Sequence, residues 1–178
     1  MDARQKLEAL AAQDSPSKSR LEAGVQIFAE AVAAALKVKP DEVAVLILTT
    51  TGNTLKFLWP MALRQGAGAI PADHKTAFAS EVLRTLKGKV DNRLSESKHL
   101  RFFENVKGME TSGLPIQKML ALPLVHGGKA VGVLEVSRKG KNPEEAGPNF
   151  TQEEAQRLVV LCRSLLPHLL ALRPEPFL

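Results

Sequence analysis

The chain has 178 residues, 44% of them hydrophobic, enough for one core of ordinary size and too few to argue for two independent domains. Its longest apolar runs, such as Val43 to Leu48, fall far short of the ~20 residues that cross a bilayer, and its amino terminus lacks the basic-then-apolar pattern of an export signal. The single cysteine, Cys162, excludes an intramolecular disulfide and any cysteine-based metal cluster. The net charge of +5 comes from 24 basic and 19 acidic residues spread along the chain, which gives no ground for a nucleic-acid function. A cytoplasmic protein without membrane attachment is expected.

Residues from Ala3 to Gln13 form a short helix by pattern, with Leu7 and Leu10 as its apolar contacts and Ser15-Pro16 as its stop. Residues 1–18 are thus an amino-terminal extension, residues 19–172 the principal domain and 173–178 a tail. A second helix begins at Ser19, where Glu22 completes a capping pattern, and Leu21, Val25, Phe28, Val32 and Leu36 follow at helical spacing. Pro40 bounds it. The β-branched run Val43 to Thr51, the turn pair Gly52-Asn53 and the run Thr54 to Trp59 predict a hairpin. After a glycine-containing loop, Asp73 is placed to cap a helix with Phe78, Val82, Leu83 and Leu86 on one face and Gly88 beyond its last turn.

Residues from Lys89 to Leu114 read as a short strand, a helical turn around Leu100 to Val106 and mobile loop. Lys118 to Val125 and Ala130 to Arg138, joined by His126-Gly127-Gly128-Lys129, predict a second hairpin. A loop rich in Gly, Pro and Asn then leads to Thr151-Gln152-Glu153-Glu154, a capping box. It opens an amphipathic helix carrying Ala155, Leu158, Val159, Cys162, Leu165, Leu166, Leu169 and Leu170, with a kink or break expected at Pro167.

The stretch Leu120-Ala121-Leu122-Pro123-Leu124, followed by Gly128-Lys129-Ala130-Val131-Gly132-Val133-Leu134-Glu135-Val136, resembles a strand, turn and strand of the GAF domain family. Phe150-Thr151-Gln152-Glu153-Glu154 is similar to the start of that family's final helix. The resemblance runs from about Ser19 to Leu170. It implies an α/β (α+β) fold: an antiparallel sheet with the first and last helices on one face and a cavity on the other, roofed by helix and loops. Strand alternation agrees, setting Ala130, Gly132, Leu134 and Val136 on one face and Val131, Val133, Glu135 and Ser137 on the other.

Cyclic-nucleotide-binding members carry an Asn-Lys, Phe, Asp-Glu signature. The matching positions here are Ser137-Arg138, Phe150 and Glu154-Ala155, so the asparagine and the second acid are lost, while Arg138 and Glu154 retain a basic-acidic pair. Capping by Glu154 and a hydrophobic staple at Phe150 account for those residues more simply. Members that reduce free methionine sulfoxide use several cysteines, and tetrapyrrole-binding members use a cysteine outside the last helix; this chain has neither.

The expected ligand-binding residues are Trp59, Phe78, Phe102, Phe103, Met109, Val133 and Glu135, apolar pocket walls with one polar anchor. Each apolar one has an ordinary core role as its alternative, and Glu135 has a salt bridge at the sheet edge. The basic residues between Lys87 and Lys118 would favour an anionic ligand, although solvated surface charge is the commoner role. His74, His99, His126 and His168 lack close-spaced partners, so no metal is expected, and no catalytic residues are assigned. The chain is expected to be a non-enzymatic sensory or regulatory domain whose small molecule and cofactor are unspecified. Its terminal helices are expected to pair two copies. The alternative is a scaffold that binds a protein partner without a ligand.

Overall fold

The computed structural model describes residues 1–13, 17–66, 68–96, 109 and 113–174. Two helices open the chain, α1 (Ala3–Ala11) and α2 (Lys18–Leu36), and a 3-10 turn at Pro40–Glu42 leads into strand β1 (Val43–Leu48). There follow β2 (Thr54–Trp59), α3 (Met61–Gly66), β3 (Ala69–Pro71), α4 (Phe78–Thr85), β4 (Lys89–Asp91), β5 (Ile116–His126), β6 (Lys129–Lys139) and α5 (Gln152–Leu170). The strands form one antiparallel sheet in the order β3-β2-β1-β6-β5-β4. The fold is mixed α and β, as expected.

The β5-β6 hairpin is the longest element pair. Gly127 and Gly128 form its two-residue turn with φ of 57° and 76°, the left-handed geometry that matches strand twist and that side chains resist. At Gly132 the reason for glycine is space. A Cβ there would lie 2.1 Å from the Leu46 carbonyl oxygen of β1, so no side chain fits where β1 and β6 meet.

Alternation divides the sheet into two faces. Val43, Val45 and Ile47 of β1, Leu120, Leu122 and Leu124 of β5, and Leu134 and Val136 of β6 meet the apolar stripes of α2 and α5 in the larger core. Leu7 of α1 is fully buried in that same core, so the amino-terminal helix belongs to the helical layer. The opposite face carries Leu46, Leu55, Phe57, Ala121 and Val133, packed against Leu63 of α3 and Ala79 and Val82 of α4 in a smaller core.

Several local expectations change. Ser17, two residues before Ser19, caps α2 by accepting from the Arg20 N–H at 3.3 Å. Asp73 does not cap α4, whose N-cap is Ala77 without a side-chain hydrogen bond. Leu86 takes the left-handed position that ends α4 and is 56% exposed, off the buried face. The glycine-containing loop after β2 folds into α3 and β3. Pro167 does not break α5, which runs continuously from Gln152 to Leu170 and forfeits the one amide donor at that position. Val131 packs toward the helical core, because the β5-β6 register shifts between Leu124 and Val125 near the turn. The predicted helical turn around Leu100 to Val106 lies outside the described residues.

Candidate functional site

β6 is a central strand between β1 and β5, and its alternation sends Leu134 and Val136 into the helical core while Val133, Glu135 and Ser137 face the other side. There a cavity of about 30 Å³ is bounded by the turn at Asp41 and Glu42, by Ala44 of β1, Phe57 of β2, Leu63 of α3, Met109, Met119 of β5, and Glu135, Ser137 and Lys139 of β6. Its volume suits one or two water molecules. An occupant larger than this either extends through the pocket's open side or displaces wall side chains, of which Met109 and Met119 are the adaptable ones.

Glu135 is the anomalous wall residue. It is 7% exposed, and among the described residues it makes no ion pair, so the salt bridge expected at a sheet edge is replaced by burial at the sheet centre. Burial pushes its carboxyl up to about 7, and the Ala79 backbone N–H, in the first turn of α4, draws it part of the way back. At neutral pH this group therefore divides between an acceptor and a donor. Either form can hold a polar ligand atom, and exchange between them couples binding to pH.

The polar rim of the cavity is built by Glu42. Its Oε2 accepts from the Lys39 N–H at 2.9 Å, its Oε1 from the Lys139 N–H at 2.8 Å, and its carbonyl oxygen from the Ser137 hydroxyl at 3.1 Å. The turn between α2 and β1 is thereby fastened to the end of β6.

Of the residues expected at the site, the structure brings Met109 and Glu135 to the cavity wall. Val133 lies in the same small core without lining the cavity, and Phe78 packs at the junction of that core with Leu94, Ile116 and Met119, its ring 4.6 Å from the Lys89 ammonium. Trp59 is elsewhere: it packs against the helical core and donates its indole N–H to the Pro40 carbonyl at 2.8 Å. Phe102 and Phe103 lie outside the described residues. Sequence reasoning missed Asp41, Glu42, Phe57, Met119 and Lys139. Period-two counting onward from Glu135 reaches Lys139, but nothing local marks Glu42 as a neighbour of a strand almost a hundred residues later.

The cyclic-nucleotide-like positions form a different structure. The Arg138 guanidinium is 4.3 Å from the Phe150 ring centroid, donates to the Leu36 carbonyl at 3.2 Å and to Glu154 Oε1 at 3.1 Å, and also donates to the Pro148 carbonyl. Glu154 and Thr151 complete the α5 capping box, and Asn92 bonds both backbone groups of Phe150. Every one of these contacts is internal to the protein. Their effect is to join the ends of α2, β6 and α5.

Cys162 lies on the buried stripe of α5, on the helical side of the sheet, and burial pushes its thiol up to about 12. The cavity on the other side has no thiol, since the chain has no other cysteine.

Comparison with known proteins gives a consistent outcome. The sequence profile of the GAF domain matches residues 20–165. Among solved structures, the GAF domain of an Acinetobacter phosphoenolpyruvate-protein phosphotransferase is similar at 17% identity, with 94% of this chain and 90% of that one covered and a TM-score of 0.59. The corresponding GAF domain from Coxiella burnetii is similar at 12% identity, 94% and 90% coverage and a TM-score of 0.63. A free methionine-R-sulfoxide reductase from Neisseria meningitidis, solved with its substrate, is similar at 17% identity, 95% and 87% coverage and a TM-score of 0.59. At these identities the likeness concerns the fold. No curated protein sequence matches the chain.

Proposed function

The chain belongs to the GAF domain family, whose members are generally sensory or regulatory, and from that premise we propose that it is a regulatory domain that takes a small molecule into the cavity beside Glu135. The observation that supports this reading most directly is a buried carboxyl without an ion pair among the described residues, facing a cavity between apolar walls. Such a group is costly to fold around unless it is used. Met109, with Phe57 and Met119, forms the apolar wall, and Phe78 and Val133 support it from behind. The signal would pass through β6, because Glu135 alternates there with Leu134 and Val136, which pack on the helical layer. A ligand that moves the strand alters the seat of α2 and α5.

We read the domain as non-enzymatic. The reductase-like neighbour raises the enzymatic option, but Cys162 is buried on the far side of the sheet with its thiol held protonated, and thiol chemistry needs an accessible thiolate. A homodimer through the terminal helices is part of this reading, as is residence in the cytoplasm; no helix among the described residues is long and apolar enough to cross a membrane.

The test is mass spectrometry of metabolites extracted from the purified protein, followed by thermal-shift titration of any compound recovered. The reading requires a compound that stabilises the wild type and loses at least about tenfold in affinity in Glu135→Gln. A set of small molecules that binds both forms equally, or none that binds, overturns it. The cavity's small volume favours a second reading, a scaffold that acts through its surface and carries no ligand.

A further inference from the structure

Two adjoining surface depressions, of about 230 and about 410 Å³, share Gly88, Leu122 and Val159 and together run beside α5 from Gln152 to Leu166. They form one groove, far larger than the pocket beside Glu135. Its floor is Leu122 and the half-buried Val159. Leu86 is 56% exposed and Val125 is 44% exposed at its margins, and Val160, 68% exposed, stands on the same helix. Leu86 and Val125 are two of the four large hydrophobic side chains exposed among the described residues, and both line the groove. Exposed apolar groups concentrated in this way mark contact surfaces.

The charged residues lining the groove are Lys89 and Arg163. Lys89 is already bonded to Glu81 at 2.6 Å. Arg163 is exposed, and Arg84, Lys87 and Lys129 are exposed on the turns that carry Leu86 and Val125. Among the described residues no acidic side chain lines the groove: Glu81 is bonded to Lys89, Asp91 follows Val90 on β4, and Glu153 and Glu154 follow Gln152 in the first turn of α5, Glu154 paired with Arg138.

The backbone decides the shape of the occupant. β4 pairs β5 at Met119 to Ala121, and among the described residues nothing pairs the same edge of β5 from Leu122 onward. Pro123 removes a donor from that edge, which disfavours an added strand. A helix laid along α5 needs no such donor, and the groove's length matches about four helical turns. A second copy of the chain would bring the same cations to the seam, which opposes pairing there.

We propose that this groove docks an amphipathic helix of a partner protein, its apolar stripe seated on Leu122, Val125 and Val159 and its acidic flank facing Arg163 and Lys87. This deepens the scaffold reading and rests on no property of the cavity, so loss of the Glu135-dependent ligand leaves it standing.

The test uses the full chain, isotope-labelled, and two synthetic helical peptides of about 18 residues with leucine at i, i+3, i+4 and i+7. One has glutamate and the other lysine at the flanking positions. The glutamate peptide should bind at least about tenfold tighter at low salt, with chemical-shift changes at Leu86, Val125, Val159 and Arg163. The exposed double variant Lys87→Glu with Arg163→Glu should reverse the preference while unfolding at the wild-type temperature. Val125→Asp should weaken both peptides. Equal affinity for the two peptides, shifts confined to other surfaces, or no binding at millimolar peptide overturns the proposal. So does self-association, seen by scattering, that the same variants abolish, since the groove would then belong to a second copy.

Discussion

Arg138 and Glu154 lie 3.1 Å apart with side chains 5% and 15% exposed, and the guanidinium also caps the last turn of α2 through the Leu36 carbonyl. One side chain thus fastens three elements. Removing one member of a buried pair leaves the other charge unpaired, which is worth far more than the pair itself contributes. Arg138→Ala should cost about 3–5 kcal/mol, read as a lower denaturant midpoint. Glu154→Gln keeps one acceptor where two are used, by Arg138 and by the Thr151 N–H, and leaves the guanidinium without its counter-charge, so it should also cost about 3 kcal/mol.

Glu135 should make stability depend on pH. Its carboxyl is raised from an ordinary 4.5 to about 7 by burial, so the folded chain holds this proton more tightly than the unfolded chain. The associated stability is fully present below pH 4.5, declines as pH rises through the folded value near 7, and is lost above it. The loss amounts to about 3 kcal/mol. Glu135→Gln removes this component, so its stability relative to the wild type should rise by that order between pH 4.5 and pH 8 in matched urea titrations. A constant difference across that range would contradict the assignment.

Gly132→Ala should separate β1 from β6. The added Cβ would meet the Leu46 carbonyl oxygen at 2.1 Å and the Ile47 Cα at 3.1 Å, both backbone atoms that cannot rotate away. A loss of roughly 3 kcal/mol is expected, checked by thermal unfolding, together with faster amide exchange at Leu46 and Ile47.

Cys162 should resist a thiol reagent in the native protein. With its thiol raised from 9.0 to about 12, the thiolate is roughly a thousandfold scarcer than for a free cysteine near neutral pH. Labelling at pH 8 should therefore track unfolding, and adding denaturant should release it. Rapid native labelling would mean either that reagent reaches the thiol from the groove beside α5, which Cys162 lines, or that α5 leaves the sheet readily.

The sequence by itself determined the elements that local chemistry specifies. The Gly127-Gly128 turn between two apolar runs identified the β5-β6 hairpin, Thr151 with Glu154 identified the start of α5, and period-two alternation placed Glu135 opposite Leu134 and Val136. Each signal lies within a few residues of what it specifies. Helix starts were less legible: Ser17 and Ser19 are both chemically able to cap α2, and Asp73 was a plausible cap that Ala77 displaced, because the cap is chosen by where the helix seats on the sheet. Only the tertiary structure decided the site. It drew Trp59 away to Pro40, set Glu42 against β6, and left Glu135 in a cavity without an ion pair among the described residues. It also exposed Leu86 beside Val125 and α5. Those outcomes depend on contacts between segments 19 to 97 residues apart and on where the pairing of β4 with β5 ends. Periodicity reports the face a side chain takes, and only packing fixes what that face meets.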